Sequence, residues 1–177
     1  MMEKKLRVGI LGATGMVGQR FISLLEDHPW FQVVTVAASA RSAGKTYEEA
    51  VGDRWKMTSP MPEAVKKLVV MNVAEVEKVA STVDFVFSAV DMTKDEIRAI
   101  EEAYAKTETP VVSNNSAHRW TPDVPMVVPE INPEDAFQHH GIVANPNCST
   151  IITMVALGGI RRLTAIDKMV ACTYQAV

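Results

Sequence analysis

Leu6-Arg7-Val8-Gly9-Ile10-Leu11-Gly12-Ala13-Thr14-Gly15-Met16-Val17-Gly18 joins an apolar run to a glycine-spaced segment near the N-terminus. Leu6 to Leu11 is a short apolar run and predicts a buried strand. It runs into a glycine turn, and Met16 to Glu26 then sets Val17, Phe21, Leu24 and Leu25 at helical spacing. His28-Pro29 ends that helix. A strand, a glycine turn and a helix start together make an anion site. The first helical turn offers free N–H groups and the positive end of its dipole, and glycines let a phosphate approach the backbone. The spacing is GxxGxxG rather than the GxGxxG of the dinucleotide fingerprint, so the weight falls on position: the turn follows the first strand and opens the first helix.

Outward from this unit the chain alternates. Gln32 to Ala38 is a valine-rich second strand, and residues 39–62 are a polar connection with room for one short helix. Leu68–Met71, Val83–Ser88, Pro110–Ser113, Met126–Val128 and Ile142–Ala144 are short apolar runs between turn signals, and Lys94–Lys106 has a helical pattern. Ser149–Leu163 is apolar on most faces and predicts a buried or interface helix; Met169–Val177 predicts a strand. Repeated alternation of strand and helix predicts an α/β fold, a mostly parallel sheet with helices on both faces.

The bulk properties narrow the function. The 177 residues are enough for one domain and the beginning of a second. A net charge of -3 gives no electrostatic case for nucleic acid or an anionic membrane. No apolar run has the length to span a bilayer, and the N-terminus lacks a signal-peptide core, so a cytoplasmic location is expected. Cys148 and Cys172 are too few for a disulfide scaffold and fit no metal spacing; both read as free thiols.

The end of the second strand distinguishes the cofactor. An NAD site usually has a carboxylate there for the ribose 2′-hydroxyl. This chain instead has Ser39-Ala40-Arg41-Ser42-Ala43-Gly44-Lys45, whose cations and hydroxyls suit a 2′-phosphate and favour NADP. A solvated basic loop is the plainer alternative.

Asn145-Pro146-Asn147-Cys148-Ser149-Thr150 leads into the apolar stretch from Ile151. Asparagine, serine and threonine favour helix starts, which places Cys148 in the first turn of a helix. There a thiol meets the positive end of the dipole, and the free N–H groups can hold an oxyanion. The position suits a nucleophile that forms a thioester, although a single cysteine is more often a small buried hydrophobe. Cys172, in the last expected strand, reads as the latter.

Taken in order, these segments resemble aspartate-semialdehyde dehydrogenase. The glycine turn and the Ala38–Lys45 loop resemble its cofactor segments, and Asn145–Thr150 its nucleophile motif. Ser113-Asn114-Asn115-Ser116 with Arg119 resembles its phosphate- and substrate-binding segment, Val127–Asn132 also matches, and Thr173–Val177 resembles the strand whose glutamine faces substrate. The resemblance implies a Rossmann-like domain over residues 1–146 and, over 147–177, the incomplete start of an α+β catalytic and dimerisation domain. It implies NADPH-dependent, reversible conversion of aspartyl β-phosphate to aspartate β-semialdehyde through a Cys148 thioester, in lysine, threonine and methionine biosynthesis. On this reading Cys148, Asn147 and Gln175 are catalytic, and Asn114, Asn115, Ser116 and Arg119 bind substrate or phosphate. Gly12, Thr14, Gly15, Met16, Val17, Ser39, Arg41, Ser42, Lys45, Ser88 and Ala89 bind NADP; no metal is expected. The family is about twice as long as this chain, with an acid–base histidine, an arginine and a glutamate in its second half. The chain is therefore expected to be a fragment, inactive alone, of a homodimer or homotetramer. A malonyl-CoA reductase and a non-catalytic NADP-binding module stay open as alternatives.

Overall fold

Among the residues that the computed structural model describes, 4–174, six strands form one sheet. They are β1 (Leu6–Leu11), β2 (Phe31–Ala38), β3 (Met71–Asn72), β4 (Phe85–Ser88), β5 (Val111–Ser113) and β6 (Ile142–Ala144). Their spatial order is β3-β2-β1-β4-β5-β6, and every pairing is parallel. The chain starts in the middle of the sheet, builds outward through β2 and β3, then returns to the other side of β1. At this reversal the loops leaving β1 and β4 diverge and open a crevice at the strands' carboxyl ends. The expected α/β architecture is the one observed.

The helices are α1 (Met16–Leu25), α2 (Tyr47–Val51), α3 (Glu63–Lys66), α4 (Val76–Ala80), α5 (Lys94–Lys106) and α6 (Cys148–Arg161). α2 and α5 each begin in a capping box, Thr46 with Glu49 and Thr93 with Glu96. Both faces of the sheet are covered. Val8 and Ile10 of β1 pack with Ile22, Val36 and Tyr47 on one side. On the other, Leu11 packs with Val86, Ile97, Tyr104 and Val111. This double burial is why the strands read as continuous apolar runs rather than alternating ones.

Several expectations are corrected. α1 buries Gly18, Gln19, Ile22 and Leu25, while Val17 and Leu24 are exposed. The inward face is set by Gly18: a Cβ there would lie 2.3 Å from the Gly12 carbonyl oxygen, so only the glycine edge of the helix fits against the turn. Met126–Val128 contributes a single parallel bridge, Met126 to Ala144, because Pro125 and Pro129 bracket it and cannot donate to a ladder. α6 has no buried residue, and Ile152, Val155 and Ile160 are exposed among the described residues. Residues 169–174 are not a strand and Cys172 is exposed, since β-forming side chains make a strand only beside a ladder partner, and none of the six strands pairs with them. Gln175 lies outside the described residues. Among the described residues, no helix is long and apolar enough to cross a membrane.

Candidate cofactor and nucleophile site

The crevice at the β1/β4 reversal is walled by three strand ends. Gly12, Thr14 and Gly15 come from the β1 turn, Ala38, Ser39 and Arg41 from the end of β2, and Ala89, Val90, Asp91 and Met92 from the loop after β4. Val73 and Arg54 complete it.

The glycine turn is held from behind. The buried Tyr47 hydroxyl donates to the Ala13 carbonyl at 2.8 Å, and burial raises its pKa above the ordinary tyrosine value. Buried Gln19 donates through Nε2 to the Thr14 carbonyl at 3.1 Å. Two carbonyls of the turn are thus satisfied within the protein. Its N–H side is free of a side-chain cap: Gly15 is the N-cap of α1, and the first helical bond is donated by Gln19 to Gly15. The amides of Met16, Val17 and Gly18 therefore precede the helical ladder.

The glycines have different causes. Gly12 has φ +79°, and a Cβ on it would lie 2.2 Å from the Ala89 carbonyl oxygen, so the chain itself requires glycine there, as at Gly18. Gly15 has φ -77° and would meet only the Gly12 oxygen, at 3.4 Å. The fold itself does not need a glycine at Gly15.

Of the residues expected to bind cofactor, Gly12, Thr14, Gly15, Ser39, Arg41 and Ala89 line the crevice. Met16 and Val17 sit exposed in the first turn of α1, outside that lining. Ser42 is buried, with its N–H donating to Ser39. Lys45 is exposed and its carbonyl accepts from Val70; neither it nor Ser42 borders the crevice. Ser88 is fully buried, and its hydroxyl accepts from Asn115. Sequence reasoning missed Arg54, Val90, Asp91 and Met92, because nothing local to them signals that a distant turn will face them. Gln19 carried a readable signal: an amide set among the apolar positions of a helix must find partners when buried.

The expected phosphate residues divide in the same way. Asn114 and Arg119 meet near the cysteine turn: Arg119 donates through Nε to the Asn145 carbonyl at 2.9 Å and through Nη2 to the Asn114 carbonyl at 3.3 Å. Asn145 donates through Nδ2 to Asn114 Oδ1 at 2.9 Å and through its N–H to Ser113 at 2.7 Å. Arg119 pairs with no carboxylate among the described residues, so its cation is available to an anion. Ser116 is exposed. Asn115 instead points inward, donating to Ser88 and, at 2.8 Å, to Glu101 Oε1. The buried Glu101 also accepts from Ser113 at 2.8 Å. Its other oxygen faces buried His118 Nε2 at 3.8 Å, and neither atom has a hydrogen-bond partner among the described residues. A buried carboxylate on α5 thus anchors the 113–119 loop from beneath.

Cys148 is exposed at the first position of α6. Asn147 is the N-cap and its Oδ1 accepts from the Ser149 amide at 3.0 Å. The first helical bond runs from Ile151 to Asn147, so the Cys148 and Thr150 amides precede the ladder. The sequence expectation of a cysteine in the first helical turn is met.

The family model described as "Semialdehyde dehydrogenase, NAD binding domain" matches residues 7–139. The chain is 43% identical to aspartate-semialdehyde dehydrogenase of Methanothermobacter thermautotrophicus, over 97% of this chain and 50% of that protein. It is 37% identical to the Saccharomyces cerevisiae enzyme of the same name, over 100% of this chain and 51% of that one. Its fold matches the crystal structure of aspartate-semialdehyde dehydrogenase with NADP from Candida albicans with a TM-score of 0.79 and 35% identity, covering 90% of this chain and 48% of that one. The chain spans about half the length of the curated relatives it matches.

Proposed function

The chain belongs to the semialdehyde dehydrogenase NAD-binding-domain family, and from that premise we propose that it binds NADP and carries the nucleophile of an aspartate-semialdehyde dehydrogenase. The crevice carries the reading: a turn whose Ala13 and Thr14 carbonyls are satisfied from behind, which opens a helix whose Met16, Val17 and Gly18 amides precede its hydrogen-bond ladder, and which shares a crevice with Arg41 and no carboxylate at the end of β2. Residues 1–146 form the cofactor domain and Cys148 opens the catalytic one.

The glycine-turn amides hold the pyrophosphate, and Ser39 and Arg41 the 2′-phosphate. NADPH supplies, when bound, the hydride that takes an acyl group to the aldehyde level. Cys148 Sγ attacks the carbonyl carbon of aspartyl β-phosphate, the C–O bond to phosphate breaks, and a thioester remains on the sulfur. The Cys148 and Thr150 amides face the oxygen that gains charge in this step. Arg119 and Asn114 hold the departing phosphate, with Arg119 kept in place by the Asn145 and Asn114 carbonyls. Assembly into a homodimer or homotetramer belongs to the same reading.

Replacing Arg41 with alanine tests the cofactor assignment. Titrations should show NADPH binding weakened roughly ten- to a hundredfold, the worth of one or two charge-assisted hydrogen bonds, with NADH little changed. Equal losses for both would remove it. In the protein carrying this chain, Cys148→Ser should abolish phosphate-dependent NADP reduction by the semialdehyde and leave NADPH binding intact. Retained turnover would exclude the nucleophile.

A further inference from the structure

Arg54 lies in the connection between β2 and β3, thirteen positions beyond Arg41, in the 3-10 turn Gly52–Arg54. Its sequence surroundings, Gly52-Asp53-Arg54-Trp55-Lys56, carry no phosphate motif. The fold nevertheless brings it to the wall of the crevice that Ser39 and Arg41 also line.

Its place there is built. Gln19, 1% exposed, uses its whole amide on the junction. Nε2 donates to the Thr14 carbonyl at 3.1 Å and to the Arg54 carbonyl at 3.0 Å, while Oε1 accepts from the Lys56 N–H at 2.8 Å. One buried side chain therefore locks the Arg54 backbone to the glycine turn. The guanidinium is held as well, with Nη2 donating to the Ala50 carbonyl at 2.5 Å. Nε and Nη1 are left without a partner among the described residues, and no carboxylate pairs with either Arg54 or Arg41. Asp91, the one carboxylate in the wall, comes from the β4 side, beyond β1. Two guanidinium groups that border one crevice without a carboxylate partner leave positive charge there for an anion to neutralise. A phosphate monoester with close to two negative charges does so better than a pyrophosphate oxygen already served by backbone amides.

We propose that Arg54 is a second 2′-phosphate ligand, held in register by Gln19, and that this chain selects NADP with two arginines rather than one. The inference rests on the NADP reading above and names the residue that completes its specificity. NADPH and NADH are titrated into the protein and into Arg54→Ala, Arg41→Ala and the double variant, each checked for an unchanged melting temperature. Arg54→Ala should lower NADPH affinity roughly tenfold or more with NADH within about twofold, and the double variant should bring the two affinities close together. Gln19→Met, with Arg54 intact but its clamp cut, should reproduce part of the NADPH-specific loss. Equal losses for both cofactors in Arg54→Ala would place Arg54 elsewhere on the dinucleotide and overturn the proposal; so would no loss at all. A parent protein that does not prefer NADPH would bring down the cofactor reading itself, an outcome distinct from failure of Arg54 alone.

Discussion

The glycine turn and the cysteine turn each end a strand and open a helix, yet their helices meet opposite fates. α1 is fastened on both sides: Gly18 lies against the turn, Ile22 and Leu25 enter the core, and Gln19 and Tyr47 satisfy the turn's carbonyls. α6 is held more loosely. Asn145 and Arg119 fix the strand end before it, Asn147 caps it and Gly158 lies against Ile131, yet none of its residues is fully buried among the described residues. The first turn is finished by its own neighbourhood. The second has a rigid base, and its helix is only partly packed among the described residues.

The largest effect should come from crowding the contact between α1 and the glycine turn. Gly18→Val puts a Cβ and two methyls where backbone atoms stand 2.3 and 2.7 Å away. The expected loss is above about 4 kcal/mol, or no folded protein at all, by urea denaturation. A variant that melts normally would mean α1 can lift from the turn. Next is the base of the second turn. Glu101→Ala leaves the Ser113 hydroxyl and the Asn115 amide without their buried acceptor. A destabilisation of about 2–4 kcal/mol is expected; a change under about 1 kcal/mol would show that water or His118 replaces the carboxylate.

Gly15→Ala sharpens the contrast inside the glycine turn. With only one contact, at 3.4 Å, stability should stay within about 0.5 kcal/mol while NADPH binding weakens about tenfold or more. Unchanged binding would mean that no ligand approaches the backbone there. The smallest effect belongs to α6. Ile152 is 71% exposed, and Ile152→Ser should shift the stability of this chain by no more than about 0.5 kcal/mol. A larger loss would reveal a contact that covers the helix.

Much of the fold was legible. α5 spans the expected residues, Lys94–Lys106, because its apolar spacing coincides with a threonine capping box. β1, β2, β4, β5 and β6 fall within a residue or two of their apolar runs. The failures share a cause. Val17 and Leu24 are apolar at helical spacing and still face outward, since hydrophobicity names a candidate stripe while a missing Cβ decides which stripe can approach. Ser42 and Lys45 sit in the expected 2′-phosphate loop, but the loop's own turn, Ser42 bonded back to Ser39, carries them away from the crevice. Asn115 lies next to Asn114 in a polar tetrad, yet one faces the cysteine turn and the other a buried glutamate.

The alternation of strand and helix, the glycine turn after β1, the absence of a carboxylate after β2 and a cysteine in the first turn of a helix are all readable in the sequence. These are properties of chemistry within a few neighbouring residues. Which residues share a wall is a matter of long-range packing. It brings Arg54 to the crevice that Arg41 lines, puts Glu101 beneath the 113–119 loop and makes Gln19 a clamp, because crossovers between parallel strands place residues far apart in the chain within hydrogen-bond reach, and no local pattern encodes that distance.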